Sequence, residues 1–365
     1  MITMFNYKKS DEELFNDIID GAVESVRQYS VGIADRKAYE ELQANLNANV
    51  AKYCVSGTRY EAAFEKDGGM VFNNPNVIRN KTVKENFDAV IAQVINAALP
   101  MTTSNKYGET FMDIHQIGWG DTARFLISSN DLFKVNEVAE GIHRGILQPI
   151  YNNEVTVNCG TIEIATSIDW YPVAAGVFDW GNFGARAGRS FEGYIMGKAI
   201  AAMTSATAAQ GAAYSAAGFS NAQWTTLAQR VSAANGGAQV YAVGTLAALG
   251  NVIPNQVGLQ YGLGEEVAKK GFLDKYLGVT LAPIDQAMVP GTVNSTATLM
   301  IPDDKIYLVA SEAYKPVKVV FEGDSVVVEE IAERTTDKTY WIGVQMKIGV
   351  AAVVGSKFGT ITIGD

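Results

Sequence analysis

The sequence predicts an α+β fold, in which helices and β-sheets occupy separate parts of the chain. Helical periodicity dominates residues 10–98 and returns over residues 174–208, whereas strand patterns fill residues 106–170 and 315–363. Strands and short helices alternate between residues 209 and 310. Because the chain has 365 residues, it is too long for one simple core, and we expect two or three domains.

Composition indicates a globular protein that neither spans a membrane nor binds nucleic acid tightly. Hydrophobic residues make up 48% of the chain and charged residues 19%. No apolar run is long enough for a membrane span, and no secretory leader is evident. The net charge of −10 argues against ordinary nucleic-acid binding, which needs a basic face, but suits a container that holds DNA loosely. The two cysteines cannot form a disulfide framework.

Residues 1–76 are predicted to form an N-terminal arm with two short amphipathic helices and a polar linker at 58–76. The first helix begins at the capping box Ser10-Asp11-Glu12-Glu13, and the second begins near Asp35. Their apolar sides carry Leu14, Ile18, Ala22 and Val26, and Leu42, Leu46, Val50 and Tyr53. This pattern fits both a helical subdomain and an arm laid across another subunit, so both interpretations stay open.

A third helix is predicted from a second capping box, Thr82-Val83-Lys84-Glu85, to Pro100. Its core positions are Phe87, Val90, Ile91, Val94, Ile95 and Ala98. This spacing indicates one apolar face packed into a core.

Residues 118–169 contain a long predicted β-hairpin. Strands at 124–127 and 132–135 lead out, and strands at 154–157 and 161–164 lead back around a polar tip at 141–153. Because two-stranded ribbons are marginal in water, we expect another surface to stabilise this one. The alternative is a hairpin that packs on its own sheet.

Residues 174–208 predict a long helix, about 50 Å at the usual rise. Its apolar stripe is Trp180, Phe183, Ala187, Phe191, Tyr194 and Ile195. Four glycines, each costing about 1 kcal/mol relative to alanine, mean that packing from outside must stabilise it. They are Gly184, Gly188, Gly193 and Gly197. The alternative is an ordinary core helix of half that length.

Charge is nearly absent after this helix, since Arg230 is the only acidic or basic residue between Lys198 and Glu265, tyrosines aside. Neutral, Ala- and Gly-rich surface is typical of close packing between chains. The pattern predicts a compact α/β unit. Its helices begin at Ser220 and span residues 245–249 and 265–276, and its strands span residues 239–243, 279–281 and 305–310.

The C-terminal part predicts a β-sheet. Residues 340–350 place a large apolar side chain at every even position, which is typical of a half-buried strand. Residues 360–363 are its predicted hairpin partner after a turn at Gly355-Ser356. Strands at 315–321 and 325–331 belong to the same sheet.

Candidate chemical sites are weak, and we predict no catalytic, cofactor-binding or metal residues, no cofactor, and no enzymatic activity. Asp113, His115 and Asp121 have ligand chemistry, but such loop clusters are common by chance. His143 beside Arg144 fits a solvated surface.

The remaining motifs lack essential residues. Gly244–Gly250 follows a strand like a phosphate loop but lacks the Gly-Lys-Ser/Thr ending. Gly262-Leu263-Gly264 has no third glycine at dinucleotide spacing. Cys159 is expected to be inert, and Asp303-Asp304 to be a turn.

The order of these parts resembles the Hong Kong 97-like major capsid protein of tailed bacteriophages. The resemblance covers most of the chain and rests on architecture rather than on a signature motif. The best local matches are Trp170-Tyr171 before the long helix, the strand-to-helix step at Ala238–Val243, and the closing run Lys347–Val353. That run is similar to the family's Lys-x-Gly-Val-Ala-x-Val.

The resemblance implies a Hong Kong 97-like capsid fold with four parts. These are an N-terminal arm (1–76), a peripheral domain with a spine helix and C-terminal sheet (77–117, 170–208 with the spine helix at 174–208, and 324–365), an extended loop (118–169) and an axial domain (209–323). The loop would lie over the adjacent subunit, and the arm would reach a neighbour. Lys134 is the loop's only lysine and lies away from the tip, so we predict no covalent crosslink.

The function implied by the resemblance is structural: self-assembly into an icosahedral or related shell around double-stranded viral DNA. Its partners would be copies of itself in hexamers and pentamers, with portal, scaffolding and decoration proteins as further candidates. The shell would be assembled in the host cytoplasm and found in the virion. Two alternatives stay open: an encapsulin-like nanocompartment shell around an enzyme, and a soluble α/β enzyme with a site after Gly236.

Overall fold

The computed structural model describes residues 9–103, 111–128, 132–135, 137, 151–169, 172, 175–252, 265, 267–310, 315–330, 339–353 and 357–363. Contacts divide the chain into two compact units. The first comprises Met1–Thr103, Thr161–Glu192 and Gly323–Lys347, and the second comprises Ser104–Gly160, Gly193–Glu322 and Ile348–Asp365. Helices and sheets are both present, as the predicted α+β class requires.

Three long helices of the first unit pack on one another: α1 (Lys9–Val31), α2 (Arg36–Val55) and α5 (Lys81–Thr103). The helices α1 and α2 have 23 and 20 residues, so the prediction of two short helices is wrong. The predicted linker at 58–76 is also wrong, because it contains helices. These are α3 (Glu61–Asp67), a 3₁₀ helix (Gly68–Asn73) and α4 (Pro75–Ile78).

Side-chain caps explain where two of these helices begin. The Asp35 carboxylate accepts hydrogen bonds from the N–H groups of Lys37 and Ala38, as predicted for α2. Helix α5 is capped instead by Asn80, whose side chain accepts from the N–H of Thr82 at 2.9 Å. The predicted start at Thr82 is therefore wrong, and the predicted end at Pro100 is wrong because the helix continues to Thr103. Its predicted core is confirmed at Phe87, Val90, Ile91, Val94 and Ile95, which are all buried.

The long helix α6 runs from Trp180 to Gln210 and has 31 residues. It begins later than the predicted residue 174, because Asp179 caps it by accepting from the N–H of Asn182 at 3.0 Å. The half-length alternative is wrong. Among the described helices, none combines the length and the apolar composition that a membrane crossing requires.

In the first unit, strand β11 (Thr339–Ala352) lies between β4 (Gly160–Asp169) and β10 (Val317–Glu330). The two strands predicted at 315–321 and 325–331 are one continuous strand. Residues 161–164 belong to β4 in this sheet, so their predicted place in the hairpin is wrong. In the second unit, β1 (Met112–Ile117) pairs in parallel with residues 317–322 of β10.

The second unit contains a six-stranded sheet with helices α7 (Asn221–Ala234) and α8 (Leu246–Gly250) beside it. The strand order is β5-β12-β9-β6-β8-β7. These strands are β5 (Ser215–Ala217), β6 (Val240–Thr245), β7 (Lys275–Tyr276), β8 (Val279–Ile284), β9 (Lys305–Ala310) and β12 (Gly359–Thr362). Helix α7 buries Trp224, Leu227 and Val231, as its periodicity predicts.

Two predictions for this unit are wrong. Strand β12 lies between β5 and β9, so residues 360–363 are not the hairpin partner of β11. The helix predicted over residues 265–276 ends early. Gly271 adopts a positive φ of 82° there, which glycine accommodates, and residues 275–276 form β7.

Candidate assembly surface

A two-stranded ribbon is the first surface that suggests assembly. Strand β2 (Ala123–Ser128) pairs antiparallel with β3 (Tyr151–Val157), and the two form a sheet of their own. This confirms the strands predicted at 124–127 and 154–157. The strand predicted at 132–135 is wrong, because these residues lack regular structure. Residues 141–150 of the predicted tip lie outside the described residues.

Apolar side chains of this region lie in solvent. Leu126 on β2 and Phe133 are exposed, and Leu132 and Val135 are 92% and 95% exposed. Several large apolar side chains exposed in one short region suggest an interaction site. We define the ribbon surface as strands β2 and β3 together with residues 132–135.

The base of the ribbon packs on strand β10 within the second unit. Ala123 and Val157 are buried with Val320 in one apolar cluster, and Phe125 and Cys159 are partly buried against it. These contacts determine where the ribbon leaves the unit, whereas Leu126 on its outer face remains in solvent.

A charged cluster lies beside this base. Asp113 and Lys318 are register partners on β1 and β10, and Lys318 Nζ donates a hydrogen bond to Asp113 Oδ2 at 2.5 Å. The Lys318 side chain is 7% exposed, and its Nζ lies 5.6 Å from the centre of the Phe125 ring. The His115 ring lies 4.9 Å from the Phe125 ring, and its Nε2 is 2.9 Å from Asp113 Oδ2. The cluster therefore joins β1, β10 and the ribbon.

Electrostatics keeps Asp113 ionised in this cluster. Burial acts to raise the pKa of the Asp113 carboxyl, but the hydrogen bond from Lys318 and the nearby imidazole of His115 outweigh burial and lower the pKa overall. A buried ammonium group needs such a counter-charge, since removing one partner leaves the other desolvated and unpaired. The ion pair thus stabilises the attachment of the ribbon.

Asp113→Asn is expected to lower the free energy of unfolding by about 1–2 kcal/mol at pH 7, because Lys318 loses its counter-charge. Since the folded-state pKa of Asp113 is lowered, its stabilisation is complete above the unfolded-state pKa and is lost as pH falls through the folded value. Chemical denaturation should show that the difference in free energy of unfolding between the unaltered chain and this variant is constant from pH 7 to about pH 5 and becomes smaller below about pH 4. The matched variant Asp17→Asn, at an exposed site, should change stability by less than about 0.5 kcal/mol. If this difference is as large at pH 3 as at pH 7, the stabilisation does not come from the ionised Asp113 carboxylate.

Two further contacts hold the chain where it enters and leaves the ribbon. The buried carboxylate of Glu322 accepts a hydrogen bond from the N–H of Gly120 at 3.0 Å, in the turn before β2. On β11, a Cβ added at Gly349 would lie 2.7 Å from Val157 Cγ1 and 2.8 Å from the Asn158 carbonyl oxygen. Only glycine therefore lets the turn after β3 pass so close to β11.

A second candidate surface is the uncharged loop 287–300, which is closed by Gln286. The Gln286 side chain accepts from the N–H of Ile301 at 3.0 Å and donates to its carbonyl oxygen at 2.8 Å. The loop approaches helix α6 closely, since a Cβ at Gly193 would lie 3.2 Å from the Cβ of Ala287. Its exposed apolar side chains are Met288, Val293 and Leu299.

The residues considered as metal ligands have structural partners instead. Asp113 and His115 belong to the cluster with Lys318, and the N–H of Asp121 donates to the Gly118 carbonyl at 3.2 Å in a turn. Within the residues that the structure describes, no group of three or more His, Cys, Asp or Glu side chains is arranged to hold a metal ion.

Other weak motifs also have structural roles. The Thr245 side chain accepts from the N–H of Ala248 at 3.3 Å, so the step after β6 is a helix cap. Asp303 accepts from the Gln286 amide at 2.9 Å. Cys159 is half-buried at the ribbon base. His143, Arg144 and residues 262–264 lie outside the described residues. Sequence reasoning missed Lys318, Gly349 and Gln286, whose partners are distant along the chain or unmarked by any motif.

Comparison with known proteins identifies a capsid family. A family model described as "SPbeta prophage-derived putative capsid protein YonB" matches residues 12–362. No curated protein matches the chain in sequence.

Several solved structures are similar to the chain at low identity. The capsid of a native GTA particle has a TM-score of 0.47 and 10% identity, covering 74% of this chain and 91% of that one. The capsid of cyanophage P-SCSP1u has a TM-score of 0.44 and 12% identity, covering 71% and 88%. A virus-like particle from Pyrococcus furiosus has a TM-score of 0.42 and 11% identity, covering 73% and 95%.

Proposed function

Because the chain belongs to the family of the SPbeta prophage-derived capsid protein YonB, we propose that its copies assemble into a closed shell around the phage genome. The chain is a structural, shell-forming major capsid protein. The family match over residues 12–362 carries this assignment and confirms the predicted resemblance to phage capsid proteins. It favours that role over a nanocompartment shell and over a soluble enzyme.

Assembly would use the two surfaces described above. The ribbon surface exposes apolar side chains, and the loop 287–300 adds an uncharged surface. A closed shell tolerates individually weak contacts, because each subunit makes many of them at once. Apolar burial and strand pairing would supply the driving force.

The proposed parts of the subunit follow the Hong Kong 97-like arrangement. Residues 1–76 would form the arm, 118–169 the extended loop and 209–323 the axial domain, with the rest as the peripheral domain. Helix α6, Trp180–Gln210, would be the spine helix. One revision is needed, since β12 lies in the six-stranded sheet with strands of residues 209–323.

The contents and partners of the shell follow from charge and family. Double-stranded DNA would be enclosed without sequence-specific contacts, which the net charge of −10 supports. Copies of the chain would form hexamers and pentamers in the host cytoplasm. Portal, scaffolding and decoration proteins are the further partners we propose.

Sedimentation and negative-stain microscopy of the purified chain test this proposal. We expect closed particles of many copies. A lone monomer, dimer or tetramer at every protein concentration and ionic strength tried would contradict it. Co-expression with the proteins encoded beside it in its genome would first exclude a missing scaffold as the cause.

Replacing residues 138–150 by a short Gly-Ser linker is expected to abolish shell formation while leaving the chain folded. The replacement removes the end of the extended loop but spares both described ribbon strands. Electron microscopy measures shells, and circular dichroism with thermal unfolding measures the fold. Normal particles from this variant would show that the loop end makes no essential contact.

A further inference from the structure

Among the strands that the structure describes, β4 offers an open edge for another strand. It has ten residues and lies at the end of the order β1-β10-β11-β4. Its side chains alternate between exposed positions such as Glu163 and half-buried positions such as Ile162 and Ile164. Proteins usually protect such edges with proline, lysine, bulges or short strands, and residues 160–169 contain neither proline nor lysine. An edge of this kind accepts a strand by β-augmentation.

The other sheet edges in the described residues are shorter. Strands β5 and β7 have three and two residues, and β1 has six. The ribbon strands β2 and β3 have six and seven residues, and their pairing shifts register at residues 127–128. Among these edges, β4 is therefore the best acceptor for a partner strand.

Residues Leu132–Val135 have the complementary character. They lack regular structure, and leucine, phenylalanine and valine at 132, 133 and 135 are all exposed. The aromatic and β-branched residues among them favour strands. In an extended conformation Phe133 and Val135 would share one side, with Lys134 on the other.

This alternation matches that of β4. If Lys134 lies opposite Glu163, then Phe133 and Val135 lie beside Ile162 and Ile164, in either a parallel or an antiparallel pairing. Both orientations place Lys134 and Glu163 together on one face, on which Leu132 also lies, and Phe133 and Val135 together with Ile162 and Ile164 on the other. Each such cross-strand pair is favourable.

We infer that, in the shell, residues 132–135 of one copy pair as a strand with the β4 edge of a second copy. The inference rests on the proposed function and identifies the contact through which the extended loop engages its neighbour. Pairing would cover the apolar side chains at 132, 133 and 135 and the open edge of β4 together.

Disulfide formation in assembled particles tests this pairing. The variant Lys134→Cys/Glu163→Cys would be made with Cys159→Ser, because Cys159 immediately precedes β4, while Cys54 is buried. Oxidation should produce a ladder of covalent dimers and larger multimers, since each copy gives one segment and receives one. Each single cysteine should give no ladder beyond dimers. The control variant Lys134→Cys/Ser215→Cys, which places the second cysteine on the shorter edge strand β5, should also give no ladder beyond dimers.

Charge exchange provides a second measurement. Lys134→Glu should reduce particle yield several-fold, and adding Glu163→Lys should restore it. Normal particles without a ladder, or a disulfide within one chain, would overturn the pairing and leave the proposed function intact. Absence of particles from the unaltered chain would overturn both.

Discussion

Gly349→Ala is expected to abolish closed shells while leaving both units folded. The new Cβ would lie 2.7 Å from Val157 Cγ1 and 2.8 Å from the carbonyl oxygen of Asn158. The second contact involves backbone, which cannot rotate away as a side chain can, so the turn after β3 must move. Overpacking of this kind costs about 1–3 kcal/mol. The larger effect is on assembly, because the displaced ribbon no longer presents its surface to a neighbour. Particle counts by electron microscopy, together with circular dichroism of the subunit, measure the two effects separately.

Gly160→Ala is the matched control for this prediction. Gly160 lies at the start of β4, near Asn158 in sequence, but a Cβ there meets no atom within 4 Å. The same substitution should therefore leave particle yield unchanged. If Gly349→Ala also assembles at the normal yield, the close approach of the turn to β11 is not required for the position of the ribbon.

Local signals in the sequence predicted local structure well. The Asp35 cap, the Ser220 cap and the buried face of α5 were all readable, because each depends on residues within one or two helical turns. The start of α5 shows the limit of such signals. Asn80 and Thr82 are both good capping residues, and only the backbone path decides that Asn80 is the cap.

Strand partners were much harder to predict than strands. The alternation at residues 340–350 identified β11, but alternation alone does not say which strand pairs with it. Strand β12 pairs instead with β5 and β9, and β4 joins the sheet of β11 rather than the ribbon. Proximity in sequence favoured hairpins in both cases, and tertiary packing overrode it.

The candidate assembly surface was predictable in outline but not in its contacts. Asp113 and His115 stood out because of their ligand chemistry, whereas Lys318, which pairs with Asp113, is 205 residues away from it and belongs to no motif. The role of Gly349 was likewise hidden. A glycine in a strand signals close approach of some other group, but its identity comes only from the folded chain.

The glycines of α6 lower its helix propensity, but packing against neighbouring helices explains why the helix is nevertheless stable. Gly184 should cost about 1 kcal/mol relative to alanine in an isolated helix. In the first unit, however, a Cβ at this position would lie 2.5 Å from Cγ2 of Val26 on α1 and 3.5 Å from Cγ1 of Val94 on α5. The absent side chain lets α1 approach, so the packing gained there offsets the lower helix propensity.

Gly184→Ala is therefore expected to lower the free energy of unfolding by about 1–2 kcal/mol, even though alanine is the better helix former. Val26 is buried and β-branched, with a restricted χ1 angle, so its methyl group cannot easily turn aside. Chemical denaturation of dispersed subunits, followed by tryptophan fluorescence, measures the change. The buried Trp180 lies in the same helix and should report it.

Gly21→Ala on α1 is the matched control, because a Cβ there would lie 3.4 Å from Leu46 Cδ1, an ordinary contact. It should raise stability by up to about 1 kcal/mol. Combining Val26→Ala with Gly184→Ala should be less harmful than the sum of the two single changes, by about 1 kcal/mol, since the first change removes the opposing methyl group. Additive effects would mean that Val26 does not oppose the new side chain. If Gly→Ala raises the free energy of unfolding on α1 but lowers it at residue 184, then α6 carries glycine there because α1 approaches closely, and not because of helix propensity.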